Sequence, residues 1–315
     1  MIKQEEHFMT SFLPEGKRIN TSENLQRISD IESIRKAMTD RTILEARAKL
    51  CDNEHNLIVD LGAYRGVIPR AECAVGIKEG TVRDIAILSR VNHPVQFIVT
   101  DIKMDSNGIP LPILSREKAQ RICIDNYISR LSVGDIIKAR VTHLEPFGAF
   151  CDIGAGIVAL MPIDTISVSR IEHPDERFSV GMDIRCVIKS KENTRITLSH
   201  KELLGTWEEN AALFSVGETV SGVIRSIENY GAFVELKPNL AGLAELKDDL
   251  RVGQQASVFI KSIIPSKMKI KLIVIDNFFS DEERQPLHYF LEEGHIDRFV
   301  YSPPSCEKYI CTEFI

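Results

Sequence analysis

Residues 132–150 read SVGDIIKARVTHLEPFGAF, and residues 215–233 read SVGETVSGVIRSIENYGAF. Both stretches begin with Ser-Val-Gly and an acidic residue, and both end with an aromatic residue, Gly, Ala and Phe. The matching positions keep one offset of 83 residues over the whole stretch, which indicates a repeat rather than a chance match. We therefore expect at least two copies of one structural unit.

Each copy continues into two more strand-like segments. SVGMDIRCVI (179–188) and TRITLS (194–199) follow the first stretch, and RVGQQASVFI (251–260) and KMKIKL (267–272) follow the second. Within KARV (138–141) the basic side chains alternate with Ala and Val, as in a strand with one face in the core. Five short strands in about 70 residues predict a small closed barrel, because closure removes the exposed strand edges.

A weaker copy lies upstream. NLIVDLGAYRGVIP (56–69) parallels GAFCDIGAGIVALMP (148–162), and VQFIVTDI (95–102) with PILSR (112–116) supplies the closing strands. The sequence thus predicts a mainly β fold of three tandem five-stranded barrels, the first of them diverged, joined by short helices. The expected segments are an N-terminal segment with an amphipathic helix (1–40), the diverged barrel (41–118), a linker helix (119–130), a barrel (131–201), a helical linker (202–214), a barrel (215–276) and an acidic C-terminal extension (277–315).

Three segments show helical spacing. The stretch 22–38 places Leu25, Ile28, Ile31, Ile34 and Met38 on one helical face, with Ser22 as its N-cap. In 200–214 the residue Trp207 is expected to dock a linker helix rather than to stack a base. In the tail, a capping box at Ser280–Glu283 predicts a helix to about residue 292, followed by two strands around a Pro-Pro turn.

The composition limits the class of protein. With 315 residues, 43% of them hydrophobic, the chain can form two or three cores. No apolar run reaches the roughly 18–20 residues of a membrane span, and the acidic N-terminus does not look like a signal peptide. Seven scattered cysteines, with Cys151 and Cys186 in apolar runs like buried free thiols, favour a reducing cytoplasm. We expect no cofactor, no metal and no membrane partner.

The net charge of −6 is unevenly distributed. Residues 277–315 hold three basic and eight acidic side chains, and residues 202–214 hold three acidic side chains and no basic one. The remainder of the chain is therefore slightly basic, and an acidic total does not exclude a nucleic-acid partner, because the charge of the binding face decides.

The order of SVGD, FGAF, DIG, SVGMDI and RITLSHK resembles the S1 RNA-binding domain, which is named for the first protein of the small ribosomal subunit. The resemblance covers 131–201 and 215–273 well and 41–118 poorly. As a whole the chain is similar to short, few-repeat bacterial proteins of that ribosomal family. The resemblance implies a five-stranded OB barrel with single-stranded RNA across strands two and three. It also implies a non-enzymatic mRNA-binding protein of the translation apparatus, with the small ribosomal subunit as a partner.

Four aromatic residues are the candidate base platforms: Phe147, Phe150, Tyr230 and Phe233. Exposed rings stack on any base without reading sequence. The members of each pair are three residues apart, so strict alternation would place them on opposite faces of a strand. We expect Gly148 and Gly231 to supply a bulge that turns both rings outward. The alternative is that one ring of each pair fills the barrel interior.

Six basic residues are candidate phosphate contacts: Lys138, Arg140, Arg195, Lys267, Lys269 and Lys271. Alternation places the last three on one face of a strand, where they hold phosphates or are merely solvated. The resemblance assigns Arg195 to the family's RNA-contacting arginine, and Lys269 takes that place in the third barrel. Pro162 and Glu245 stand where many family members carry a histidine.

The first barrel lacks these features. Its aligned platform positions are His55 and Ile58, its histidine position is Pro69, and its arginine position is Leu111. We expect it to pack against a neighbour or a protein partner rather than to stack bases.

Two other functions remain open. The chain could be an accessory RNA grip of an RNA-processing enzyme, or an adaptor that docks proteins through its acidic tail. An enzyme in its own right is not expected, because the barrels and linkers leave too few residues for a catalytic core.

Overall fold

The computed structural model describes residues 12–192, 195–279 and 287–315, and within these ranges the chain forms three closed barrels of five strands each. In every barrel the strands neighbour one another in the order first, second, third, fifth, fourth, with the fourth closing on the first. The third and fifth strands pair in parallel, and the fourth strand pairs antiparallel with both the first and the fifth. The predicted mainly β fold of three tandem OB barrels is confirmed.

The barrel strands contain most of the helix and strand residues in the described ranges. Barrel 1 consists of β1 Leu44–Cys51, β2 Leu57–Asp60, β3 Arg65–Ile68, β4 Pro94–Met104 and β5 Pro110–Ser115. Barrel 2 consists of β6 Ile136–Glu145, β7 Gly148–Asp152, β8 Val158–Pro162, β9 Asp183–Glu192 and β10 Arg195–Ser199. Barrel 3 consists of β11 Thr219–Glu228, β12 Gly231–Lys237, β13 Leu240–Ala244, β14 Gln255–Ile264 and β15 Lys269–Phe278.

Alternation along the strands fills the barrel interiors. In β15, Ile270, Leu272 and Val274 point into the core of barrel 3, while Lys269 and Lys271 are exposed. Burying one such aliphatic side chain stabilises the fold by about 1.5–3 kcal/mol. Cys151 and Cys186 are buried free thiols in barrel 2, as predicted.

The described helices are short, and two of them replace one predicted helix. They are α1 Ser22–Arg27, α2 Ile31–Thr39, α3 Ile85–Leu88, α4 Arg116–Asn126 and α5 Trp207–Ala211. The prediction of one helical face over 22–38 was wrong, because the carboxylate of Asp30 accepts a hydrogen bond from the N–H of Ser33 and starts a new helix there. Leu25 is accordingly exposed.

The linker between barrels 2 and 3 is also interrupted. A 3₁₀ turn at Lys201–Leu204 ends at Gly205, whose φ of 83° is accessible mainly to glycine. Thr206 then caps α5. Trp207 is buried in the hydrophobic cluster that includes the core of barrel 3, which confirms its docking role.

Residues 12–131 and 152–158 form the first of two compact units. Glu15 is buried there, and its carboxylate accepts a hydrogen bond from Arg116 Nε at 2.7 Å. The N–H of Glu15 donates to Asp152 Oδ2 at 2.7 Å. Burial and the negative charge of Glu15 raise the pKa of Asp152 to about 7. The N-terminal segment is thus tied down by buried charged groups.

Residues 132–151 and 159–315 form the second unit, which contains barrel 3 and all of barrel 2 except residues 152–158. Arg177, from the loop between β8 and β9, makes a buried ion pair with Glu235 of β12. Arg225 of β11 contacts the same carboxylate at 3.0 Å. The two barrels therefore share a buried, charged contact.

Asn239 adds a second connection within this unit. Its side-chain oxygen accepts the N–H of Val168 at 3.0 Å, and its side-chain nitrogen donates to the carbonyls of Lys201 and Gly205 at 2.7 and 2.8 Å. The hydroxyl of Tyr301 donates to the Asn239 carbonyl at 2.6 Å. The side chain of Asn239 thus links barrel 2, the linker and barrel 3, and Tyr301 of the tail bonds to its backbone carbonyl.

The tail contains a small antiparallel pair, β16 Arg298–Val300 and β17 Cys311–Glu313, in agreement with the two strands expected there. The predicted helix to about residue 292 was wrong for residues 287–292, which are not helical. The capping box at Ser280–Glu283 lies outside the described residues. Residues 287–292 instead have an irregular backbone, and the N–H of Phe290 donates to the carbonyl of Leu203 at 2.9 Å.

Candidate nucleic-acid interface

The aromatic pair of barrel 2 lies at its surface, where β6 turns into β7. Phe147 is 56% exposed and Phe150 is half-buried. Their ring centroids are 6.0 Å apart and the rings are nearly perpendicular, at 89°. The edge-to-face arrangement leaves the outer ring with a face open to solvent.

Barrel 3 repeats this geometry. Tyr230 is 69% exposed and Phe233 is half-buried, with ring centroids 6.2 Å apart and an interplanar angle of 89°. None of the four rings lies in a barrel interior, so the alternative of a core-filling ring is wrong. Ala149 and Ala232 hold the neighbouring interior positions.

The rings share one side for a different reason than the predicted glycine bulge. Phe147 and Tyr230 lie in the turns before β7 and β12, so strand alternation does not apply to them. The glycines are needed because another strand passes close by. A Cβ on Gly148 would overlap the carbonyl oxygen of Met161, and one on Gly231 would lie 2.6 Å from that of Ala244.

A histidine that the sequence reasoning did not select joins the barrel 2 pair. The exposed ring of His143 on β6 lies 6.2 Å from that of Phe150 and is tilted by 31°. Its Nε2 is 2.7 Å from Glu145 Oε1. The feature of the sequence that could have identified His143 is its position on the strand directly before the aromatic turn. In barrel 3 the matching residue is Ser226, so this third ring is particular to barrel 2.

In barrel 3 the structure brings an aromatic ring and a cation onto one outer row. Phe233 pairs with Leu243 on β13, and Leu243 pairs with Lys271 on β15. Two strand spacings, about 10 Å, separate the backbones of Phe233 and Lys271. A nucleotide stacked on the ring would have its phosphate within reach of such a lysine.

Arg195 and Lys269 occupy equivalent places. Each is exposed at the start of the fifth strand, two residues before the residue that pairs in parallel with the third strand. Lys267 is exposed too, but it lies in the turn Pro265–Lys267 before β15. The prediction that it shares a strand face with Lys269 and Lys271 was therefore wrong.

Lys138 and Arg140 are not brought to the aromatic pair. They lie on the part of β6 that pairs with β9, opposite Arg185 and Asp183. Arg140 Nε is 3.3 Å from an oxygen of Asp183, so this cation already has an acidic neighbour. Lys138 is exposed.

The two family histidine positions lie at the ends of strands. Pro162 ends β8 against Gly148, and Glu245 is exposed directly after β13, beside the Gly231 turn. Glu245 therefore places a negative charge near the ring pair of barrel 3.

Barrel 1 carries no aromatic pair at the corresponding positions. His55 lies in a left-handed turn with φ 62°, and its Nδ1 is 3.8 Å from Asp84. Ile58 and Leu111 are half-buried. Leu111 stands two residues before the parallel bridge of β5, as Arg195 does in β10, so the face also lacks that cation.

No group of three or more His, Cys, Asp or Glu residues in the described ranges is arranged to bind a metal ion. Among the helices of those ranges, none has the length and apolar character needed to cross a membrane.

Comparisons with known proteins point to RNA-binding and ribosomal proteins. Residues 130–201 match the family described as S1 RNA binding domain. The small ribosomal subunit protein bS1 of Staphylococcus aureus (strain COL) is 30% identical over 236 residues, which cover 69% of this chain and 58% of that protein. The bS1 protein of Chlamydia muridarum is 31% identical over 195 residues, covering 57% of this chain and 34% of that protein.

The chain thus spans 58% of the length of the Staphylococcus aureus relative. Among solved structures, a multidomain protein with nucleic acid binding domains from Streptococcus pneumoniae covers 77% of this chain and 76% of its own, with 13% identity and a TM-score of 0.25.

Proposed function

We propose that this chain, whose second barrel is an S1 RNA-binding domain, is a non-enzymatic protein that binds single-stranded RNA through stacked aromatic rings and basic side chains. The observation that carries the proposal is the repeated pair of perpendicular rings on barrels 2 and 3, each with one strongly exposed member.

The rings supply affinity that does not depend on sequence. Every base has a π-face, and stacking on an exposed aromatic contributes about 1–3 kcal/mol per base. Phe147 and Tyr230 would take the first base on each barrel, with Phe150 and Phe233 supporting them from the side. His143 would extend the platform of barrel 2.

Basic side chains near the rings would hold the phosphates. Arg195 on barrel 2, with Lys269 and Lys271 on barrel 3, are the nearest candidates, and Lys267 extends this group at the turn. Phosphate contacts of this kind make binding depend on salt. Lys138 and Arg140 would contribute only where the RNA strand continues past the rings and runs along β6.

Bacterial relatives named small ribosomal subunit protein bS1 support a role in translation. We propose mRNA as the physiological RNA, the small ribosomal subunit as a partner and the cytoplasm as the location. Barrel 1, which lacks the aromatic pair, would contact protein rather than bases.

The test compares the binding of fluorescein-labelled oligouridine by the wild type and by the Phe147→Ala/Tyr230→Ala double variant. Loss of two stacked bases should weaken binding by at least about tenfold. Phe279→Ala is the matched control, since this exposed ring lies outside both pairs, and it should leave affinity unchanged. Equal affinity of the double variant and the wild type would refute the stacking mechanism.

Photo-crosslinking of the full chain to 4-thiouridine RNA gives an independent readout. Crosslinked peptides should come from the turns at Phe147 and Tyr230. Dominant crosslinks in barrel 1 would contradict the roles assigned to the three barrels.

A further inference from the structure

Barrels 2 and 3 share an outer row of three residues on their first, fourth and fifth strands. In barrel 2 the row is Ile136, Val187 and Ser199, paired across β6, β9 and β10. In barrel 3 the row is Thr219, Phe259 and Ile273, paired across β11, β14 and β15. These rows lie away from the aromatic turns, so their residues do not take part in the base stacking proposed for the ring pairs.

In barrel 2 this row is covered by the chain's own segment 289–296, which we call the tail segment. The N–H of Ile136 donates to the carbonyl of Gly294, and the N–H of Ile296 donates to the carbonyl of Gly134, both at 2.9 Å. Val187 is fully buried, in one cluster with Ile296 of the tail segment and with Leu203 and Trp207 of the linker. The tail segment thus makes one antiparallel bridge, between His295 and Asp135, beside the start of β6.

Side chains fix the register of this contact. A Cβ on Gly134 would overlap the carbonyl oxygen of Ile296, so the two backbones are as close as glycine allows. His295 Nδ1 is 2.6 Å from Asp135 Oδ1. Farther along, the hydroxyl of Tyr289 accepts the N–H of Arg185 at 3.2 Å. The bound segment therefore presents a small residue, a basic residue and an aliphatic residue in succession.

Barrel 3 has the same features, and no segment of the described ranges covers them. Val216, the counterpart of the packed Val133, is 60% exposed. Ile273 and Ile275 are 39% and 56% exposed, and a Cβ on Gly217 would meet no atom within 4 Å. Glu218 takes the place of Asp135, and the same backbone hydrogen bonds link this turn to the fourth strand.

We propose that this face of barrel 3, formed by Val216, Gly217, Phe259, Ile273 and Ile275, binds an extended segment of a partner protein. The segment would run beside the start of β11 as the tail segment runs beside the start of β6. By analogy with Gly294, His295 and Ile296, its chemistry is a small residue bonded beside Thr219, then a basic residue facing Glu218, then an aliphatic residue whose backbone approaches Gly217.

The occupant is a separate protein because the tail segment of this chain is already bound to barrel 2. An apolar row of this kind suits protein more than RNA, since phosphates need cations and the row itself has none. The nearest lysine on β15, Lys271, lies two residues from Ile273, in the row that contains Phe233 and Leu243.

The experiment uses the full chain and a fluorescein-labelled peptide of residues 287–300, LHYFLEEGHIDRFV, as the probe. Fluorescence anisotropy should show saturable binding. The Ile273→Glu/Ile275→Glu variant should weaken it at least tenfold, and Val180→Glu, an equally exposed position on barrel 2, should not change it. A peptide with His295→Asp should bind at least threefold more weakly to the wild type, because it would face Glu218.

Three results would overturn the proposal. The first is the absence of saturable binding at about 1 mM protein. The second is binding that the Ile273→Glu/Ile275→Glu variant leaves intact, since the peptide would then be exchanging with the tail segment on barrel 2. The third is evidence for a different occupant of the face. Lower oligouridine affinity of this variant would assign the face to RNA, and an Ile273-dependent dimer in sedimentation would assign it to a second copy of this chain.

Discussion

Phe147 and Tyr230 each follow a strand by two residues, and that displacement decides where their rings point. Inside a strand, a residue three positions before Phe150 would face the opposite side. In the turn the backbone direction changes, and both rings of a pair reach the same surface. A residue's place relative to the end of a strand can therefore outweigh its spacing within a sequence motif.

His200 is the residue for which burial has the clearest electrostatic consequence. It is fully buried beside Phe178 and Tyr289, and its Nε2 is 3.1 Å from the hydroxyl of Tyr289. Burial lowers its pKa to about 4, with a smaller contribution in the same direction from Arg177 and an opposing one from the carbonyl of Ile166. The imidazole is therefore neutral in the folded protein at neutral pH.

This shift predicts an acid-sensitive contribution to stability. The folded pKa lies below the unfolded value of about 6.5, so the unfolded chain binds the proton first as pH falls. The stability due to neutral His200 is present above pH 6.5 and is lost as pH falls toward 4, in total about 3 kcal/mol. Urea unfolding of the wild type and His200→Gln, measured between pH 7.5 and 4, should show the wild type losing more stability. Parallel pH profiles would contradict the assigned pKa.

At the scale of elements, local hydrogen bonds divide segments that hydrophobic periodicity joins. The apolar spacing of residues 22–38 fits one helix, but the side chain of Asp30 caps a second one. Gly205 divides the linker in the same way. Periodicity reports which face is apolar, whereas a capping side chain reports where the backbone changes direction.

The close approach of β7 and β8 gives a prediction for Gly148→Ala. The added methyl group would overlap the Met161 carbonyl, so the strands must separate, at a cost of about 1–3 kcal/mol. The ring pair would move with β7, and oligouridine affinity should fall. Thermal unfolding and anisotropy measure the two effects.

Gly181→Ala is the control for this variant. Its added methyl group meets no atom within 4 Å, although its φ of 86° makes alanine unfavourable by about 1–2 kcal/mol. It should therefore lower the melting temperature and leave RNA affinity unchanged. A Gly148→Ala protein that binds RNA as tightly as the wild type would show that the glycine is not needed to present the rings.

At the scale of the whole molecule, buried charges connect barrels 2 and 3. Glu235 is the shared acceptor of Arg177 and Arg225, and Arg225 also pairs with Glu176. Under the proposed function, the two ring pairs of this unit would bind one RNA strand with higher affinity than either pair alone, because the second contact is intramolecular.

The prediction at this scale concerns Glu235→Ala. The change leaves Arg177 buried without its counter-ion and should destabilise the protein by about 3–5 kcal/mol in urea unfolding. The advantage of long over short oligouridine should also shrink, because the platforms lose their fixed relation. Glu208→Ala, at an exposed position on α5, should change stability by less than about 0.5 kcal/mol. Independence of affinity from RNA length in the wild type would argue against a two-platform site.

Much of the candidate site could be read from the sequence, because its signals are local. The repeat with its closing strands identified the barrels, and the aromatic-Gly-Ala-Phe turns identified the ring pairs. Lys267 was misassigned because Met268 adopts a left-handed conformation, with φ 46°, that breaks the alternation before β15 begins. His143 was missed because its contact with Phe150 depends on the pairing of β6 with β7.

The sequence by itself determined the three barrels and the four rings, since alternation, turn residues and close-packed glycines act within a few positions of one another. Only the tertiary structure decided which surfaces remain open. Val187 is buried in one cluster with Ile296, and its neighbour Arg185 contacts Glu292, which lies 107 positions along the chain. Phe259 and Ile273 meet no such segment in the described ranges. Lys138 and Arg140 were separated from the rings in the same way, because pairing between distant strands sets which side chains become neighbours.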